Sequence, residues 1–132
     1  MRLAVFGSRS LSGSEVALEI RQTISDLQAD AIVTAGEPDG VCATAQEVAR
    51  TIPLPLTLHC LDFHHLRGAF DHRSRAIIAD SDFVLLVHDG ASKGTANEYK
   101  LVQKSQKPHR YVTMRPIGHS QYTQPELEPA ML

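Results

Sequence analysis

Three short glycine-bearing segments carry the residue types best suited to holding an anion. They are Gly7-Ser8-Arg9-Ser10, the turn from Gly36 to Gly40, and Asp89-Gly90-Ala91-Ser92-Lys93-Gly94-Thr95. Glycine lets a backbone approach a phosphate without a Cβ in the way, and a following helix adds unpaired N–H groups and a partial positive charge. That charge contributes only about 0.3–1 kcal/mol at a surface, so charge-assisted hydrogen bonds from Arg9, Ser10 or Thr95 are expected to supply much of the rest. One such turn serves equally well as a tight strand-to-helix connection. Three at one sheet edge point to a phosphate-bearing ligand. None matches the P-loop or the G-x-G-x-x-G pattern, so neither an ATPase nor a dehydrogenase is expected.

Glu98 is the carboxylate of most interest. It follows Thr95 by three residues, in the first turn of an expected helix. It could bind ribose hydroxyls or act at an anomeric carbon. Thr95-x-x-Glu98 is also capping-box spacing, and the residues alone weigh the two readings equally. Arg73 and Arg75 are two positions apart, which on a helix sends them to different faces. Arg73 shares a face with Ile77 and Asp80, and only one arginine can easily meet a ligand. His59, His64, His65 and His72, with Cys60 and Asp62, lack H-x-x-x-H or C-x-x-C spacing, so no metal site is expected. His64 and His65 are read as facing a ligand mouth or water, and His88 as an unspecific contact. Cys42 could be a nucleophile only beside an activating base, and none is placed by the sequence.

These groups need a scaffold that brings loop ends together. The apolar runs Leu3–Phe6, Ala31–Thr34, Leu56–Leu58, Phe83–Val87 and Tyr111–Met114 read as strands. Between them lie helical patterns. Ser12 and Glu15 have capping-box spacing ahead of Val16, Ile20, Ile24 and Leu27. Val41 to Ile52 ends at Pro53, Asp71 to Ala79 follows a loop over 60–70, and Ala96 to Ser105 ends before Lys107-Pro108. The alternation predicts an α/β domain over 1–114: a three-layer α/β/α, Rossmann-like arrangement with a mostly parallel five-stranded sheet. Ligands in such sheets bind beyond the carboxyl ends of the strands. Residues 115–132 hold three prolines and no period, and read as a C-terminal tail, disordered or draped over the domain.

The 132 residues suit one domain, and 42% hydrophobic with 21% charged residues is ordinary for a globular chain. A net charge of −2 argues against nucleic acid or an anionic membrane as the partner, so any anion site is local. The Met1–Phe6 run is too short for a signal peptide or a membrane span. Two cysteines without metal spacing read as reduced thiols of a cytoplasmic protein.

Gly7-Ser8-Arg9, the Gly36–Gly40 turn, Arg73-Ser74-Arg75 and Asp89-Gly90-x-Ser92-x-Gly94-Thr95 together resemble the YspA-like branch of the SLOG superfamily, over residues 2 to 114. That superfamily includes the LOG phosphoribohydrolases, the DNA-uptake protein DprA and sensor domains for nucleotide-derived ligands. The resemblance implies a Rossmann-like fold, a nucleotide-derived small molecule as partner, no cofactor, and self-association into a homo-oligomer. It places the LOG enzymes' catalytic arginine at Arg73 and the aspartate preceding the strand at Asp82. The end of the P-G-G-x-G-T-x-x-E loop falls at Gly94, Thr95 and Glu98. The ligand contacts are expected from Gly7, Ser8, Arg9, Ser10, Gly36, Gly40, Arg75, Asp89, Gly90, Ser92, Gly94 and Thr95. The chain departs from the pattern at His88-Asp89-Gly90-Ala91, which replaces the proline-diglycine, and at Cys42, where an aspartate is usual. The resemblance therefore implies a nucleotide-binding sensor or regulatory domain. The alternative is hydrolysis of a nucleoside 5′-monophosphate to base and ribose 5-phosphate, with Glu98 and Arg73 catalytic.

Overall fold

Each apolar run extends into a strand, and the strands lie side by side in one direction. In the computed structural model, which describes residues 1–116 (without the side chains of His65 and Leu66), β1 spans Arg2–Gly7, β2 Ala31–Ala35, β3 Leu56–His59, β4 Phe83–His88 and β5 His109–Thr113. The order is β3-β2-β1-β4-β5 and every pairing is parallel. The sheet is thus wholly rather than mostly parallel. The register sets Gly7 beside Val87, Ala35 beside His59 and His88 beside Thr113. All five carboxyl ends therefore meet along one edge. The chain winds outward from β1 to β3 and then returns to β4 on the other side of β1. The switch point lies between β1 and β4, directly under the first and third glycine turns.

Two apolar layers hold the helices to this sheet. α1 (Ser14–Leu27) and α2 (Gly40–Thr51) pack Val16, Ile20, Ile24, Val41, Ala45 and Val48 against Leu3, Val5, Leu85 and Val87. On the opposite face α3 (Ala69–Ala79) and α4 (Lys93–Ser105) pack Ile77, Ile78 and Val102 against Ala4, Phe6, Val84 and Leu86. Alternate strand residues serve the two layers, as a sheet covered on both faces requires.

Three expectations of local structure are corrected. α1 begins at Ser14, after Gly13 at φ 93, and no side chain caps it. The Ser12–Glu15 capping box does not form, because Leu11 is buried and a glycine in left-handed conformation turns the chain into the helix. The 60–70 segment is not all loop: Phe63–Gly68 forms a 3-10 turn and α3 starts at Ala69, whose side chain is buried. α4 starts at Lys93, not Ala96, because Ser92 caps it and accepts the Thr95 N–H at 3.3 Å. The expected tail falls almost wholly outside the described residues.

Two of the glycines are needed for packing between turns. A Cβ on Gly7 would lie 2.4 Å from Val41 Cβ, and one on Gly40 would lie 2.5 Å from Arg9 Cα, where Gly40 also holds φ +77. These contacts let the start of α2 close onto the β1 turn. Gly7→Ala is therefore expected to lower stability by about 1–3 kcal/mol through overpacking, read as a reduced midpoint in urea unfolding. An unchanged midpoint would show that α2 can move away freely.

Candidate functional site

Ser8 organises the edge. It is 1% exposed, and its N–H donates to Val87 O at 3.0 Å. Its carbonyl accepts the N–H groups of Leu11 (3.2 Å) and Val41 (3.3 Å). Its hydroxyl accepts the Asp89 N–H at 3.0 Å and exchanges a hydrogen bond with Thr95 Oγ1 at 3.1 Å. Ser8 and Thr95, both expected at the ligand, are thus committed to internal bonds that tie the three turns together. The hydroxyl of Ser92 serves as the α4 cap.

Asp89 occupies part of the anion cradle itself. Oδ1 accepts the N–H groups of Ala91 (2.8 Å) and Ser92 (2.7 Å), and Oδ2 accepts the Ser10 hydroxyl at 2.6 Å. Burial works against its charge, but the bonds from Ser10, Ala91, Ser92 and Ser8 outweigh it and hold the carboxyl at about 2. Asp89 is therefore an anion built into the turn and not a group free to bind one. Arg9 lies 3.3 Å from the Asp39 carboxylate, with both side chains well exposed. Such an exposed pair is worth about 0–1 kcal/mol. Gly36 packs against the end of β3, where a Cβ would meet Cys60 Sγ at 3.1 Å.

Gly90 and Gly94 have no such packing role. Gly90 takes φ +87 and a methyl added there would meet nothing within 4 Å, while one on Gly94 would meet only Ser92 Oγ at 4.0 Å. Both face open space at the start of α4, where the N–H groups of Lys93 and Gly94 make no intrahelical bond. A hollow of about 470 Å3 flanks this turn, lined by Asp89, Gly90, Ala91, Thr113, Met114, Arg115 and Pro116. A second hollow of about 510 Å3, between α1 and α2, touches the site only through Pro38, Asp39 and Gly40.

On the α3/α4 side of the same edge lies a cluster of charge. Arg73, 6% exposed, donates from Nη2 to Glu37 Oε2 at 3.0 Å, and its Nε is buried without an acceptor among the described residues. Phe70 lies across the guanidinium, 5.5 Å from ring centroid to Cζ. Burial first, and the Glu37 carboxylate second, push the Glu98 carboxyl up to about 8 against the opposing pull of Arg73. The raised Glu98 carboxyl favours its protonated form near neutral pH, beside the Arg73–Glu37 ion pair. Because Ser92 caps α4, Glu98 is released from the capping role that its spacing allowed. Cys42 borders the cluster, and burial pushes its thiol up to about 12, which closes the nucleophile reading.

Other residues lie elsewhere. Arg75 is exposed on the face of α3 away from Arg73, so the pair is not brought together. Asp82 accepts the Arg2 N–H at 2.7 Å at the opposite end of β1, a structural position. Asp80 pairs there with Arg2 (2.9 Å) and with His59 (3.0 Å). His64 is exposed beside Asp62. His88 is buried, with Nε2 facing Ser92 O at 2.9 Å and Nδ1 facing Tyr111 Oη at 2.7 Å. A carbonyl can only accept, so Nε2 carries the proton and Nδ1 takes the tyrosine hydroxyl. Among the described residues no three of His, Cys, Asp and Glu are grouped to hold a metal. No helix among them is long and apolar enough to cross a membrane. Sequence reasoning missed Glu37 and Phe70. The one signal for Glu37 was a carboxylate between two turn glycines, and Phe70 had none.

A doubly wound parallel sheet with turns gathered over its β1/β4 switch point defines a Rossmann-like α/β domain. Solved structures of similar fold include the molybdenum cofactor binding protein of the phototrophic bacterium Rippkaea orientalis, with TM-score 0.67 and 19% identity over 99% of this chain and 86% of that one. The molybdenum cofactor carrier protein of Chlamydomonas reinhardtii gives TM-score 0.65 and 17% identity over 98% and 86%. DNA processing protein A of Helicobacter pylori gives 0.60 and 24% over 99% and 73%. No protein-family model and no curated protein matches the chain. At these identities the likeness is one of fold. It supports the Rossmann-like architecture and does not single out the YspA-like branch.

The Glu98 shift has a consequence for stability. The carboxyl is at its ordinary 4.5 when unfolded and about 8 when folded, so the folded chain holds the extra proton between those values. Its contribution is fully present below 4.5 and is lost as pH rises through about 8. Glu98→Gln is expected to flatten the fall in urea-unfolding stability across that window and to exceed the wild type above it. Parallel curves for the two proteins would show that Glu98 titrates normally.

Proposed function

We propose that this chain is a nucleotide-binding sensor or regulatory domain of the YspA-like SLOG type, which holds the phosphate of a nucleotide-derived ligand at the Gly90–Gly94 turn. The observation that carries this reading is the open space in front of Gly90 and Gly94. No neighbouring side chain requires either glycine, Gly90 being set by its φ of +87 and Gly94 by neither contact nor angle, and both keep the start of α4 approachable. Lys93 and Gly94 N–H groups then meet the phosphate, with Arg9 free to leave Asp39 and join them. The fixed negative charge of Asp89 steers the phosphate toward the Lys93–Gly94 side of the turn. Two similar folds are named as binding or carrying the molybdenum cofactor, which supports a small-molecule ligand and makes that cofactor a compound to test.

A second reading is favoured by one observation. A carboxyl held protonated near neutral pH beside a buried arginine has the form of a general acid. In a nucleoside-monophosphate phosphoribohydrolase, Glu98 would protonate the departing base while Arg73 balanced negative charge. Binding is preferred because Arg73 is already paired with Glu37, and the proline-diglycine start of the enzymes' loop is replaced by a turn that Asp89 fills.

One panel separates the two. The protein is incubated with nucleoside monophosphates, signalling nucleotides and molybdenum cofactor, and both thermal shift and released base are followed. Stabilisation without base release is expected. Gly94→Ala, which adds a methyl in open space, is expected to leave stability unchanged or raise it by up to about 1 kcal/mol while weakening ligand binding at least severalfold. Base release abolished by Glu98→Gln would establish the enzyme instead. No response to any compound would refute the ligand reading.

A further inference from the structure

Two of the chain's four phenylalanines stand in solvent at the ligand edge. Phe6 is fully buried and Phe83 packs against the core, as the hydrophobic effect requires. Phe63, in the 3-10 turn after β3, is 71% exposed and Phe70, in the first turn of α3, is 58% exposed. For Phe70 this exposure coincides with an unusual support. One face of the ring meets the guanidinium of Arg73, which is held by Glu37 on α2's entry turn. The first turn of α3 is tied to α4 by the bond from Asn97 Nδ2 to Asp71 Oδ1 at 2.8 Å. The ring is therefore positioned from beneath while much of its surface is left open.

We propose that Phe70 is the stacking platform for the planar heterocyclic ring of the ligand, with Arg73 as the positioning residue beneath it. This rests on the nucleotide-binding reading and names the part of the ligand that the phosphate turn cannot recognise. Scale supports it. Gly94 and Glu98 are one helical turn apart, about 6 Å along α4, and the Asn97–Asp71 bond sets the first turn of α3 beside that stretch, so a nucleotide anchored at Gly94 has its base within the reach of α3 in this reading. The Nε of Arg73 is buried and has no acceptor among the described residues, so among them the Glu37 carboxylate holds the guanidinium beneath the ring. A single aromatic face suits any base, because every base presents a π surface.

The hollow beside β5 is the competing place for the ring, with Met114 and Pro116 as its apolar walls. Calorimetric titrations of wild type, Phe70→Ala, Phe70→Trp and Met114→Ala decide between them, with AMP, GMP, CMP and UMP as ringed probes and ribose 5-phosphate as the ringless one. Phe70→Ala is expected to weaken the bound nucleotides roughly tenfold to a hundredfold while changing ribose 5-phosphate affinity less than twofold. Phe70→Trp is expected to retain nucleotide affinity. Equal loss for both kinds of probe, no loss, or selective loss in Met114→Ala instead would overturn the platform. So would a change in oligomeric state on sedimentation without a change in nucleotide affinity, which would mean that a second copy covers Phe70. Wild type binding ribose 5-phosphate but no nucleotide more tightly refutes the platform alone. Wild type binding none of the probes refutes the platform together with the phosphate reading.

Discussion

The backbone and hydroxyl of Ser8 form the junction on which the rest of the edge depends. Each βα turn, taken alone, has many conformations open to it. Ser8 accepts from the start of α2, accepts from Asp89, pairs with Thr95 and donates to β4. These bonds are buried, where a hydrogen bond is stronger and an unmade one more costly. The Gly7 and Gly40 contacts make the junction sterically possible, since a methyl at either would push α2 from the β1 turn. With Ser8 fixed, the first turn of α4 is fixed too. That in turn sets where Glu98 stands.

The electrostatics of the edge divide into two parts with opposite behaviour. Asp89 is ionised because four donors converge on it. Desolvation and the facing Glu37 carboxylate raise the Glu98 carboxyl toward its protonated form. One arginine does not offset two partly buried carboxylates, and the one it does not pair with is shifted toward its protonated form. The outcome is a cluster without net charge beside a turn that carries a fixed negative charge. In the proposed binding mode the anion meets the face of the turn that Gly90, Lys93 and Gly94 present. The proposed phosphate site is local and requires no basic surface on a chain of net charge −2.

Much of the scaffold was legible in the residues. The five apolar runs became the five strands, and Val16, Ile20 and Ile24 form the buried stripe that their spacing implied. Element ends were less legible, because caps are decided by competition among nearby side chains. Ser12, Ser92 and Thr95 all had the composition of a cap. Only Ser92 became one, since Thr95 was drawn to Ser8 and Leu11 was buried ahead of Ser12. The candidate site divided similarly. Arg73 and Glu98 are at one cluster, Arg75 is elsewhere, and Ser8 and Thr95 serve the scaffold.

The sequence by itself determined the alternation of elements, the doubly wound class and the edge at which chemistry must gather. Periodicity and turn composition are local properties, and parallel crossovers leave few arrangements. Only the tertiary structure decided what each polar group at that edge does. It gave Ser8 and Asp89 to internal bonds, left Gly90 and Gly94 open, joined Glu37 to Arg73 and set Phe70 in solvent above them. Those outcomes depend on which groups from distant segments reach one another first, and on how much water each loses when they do.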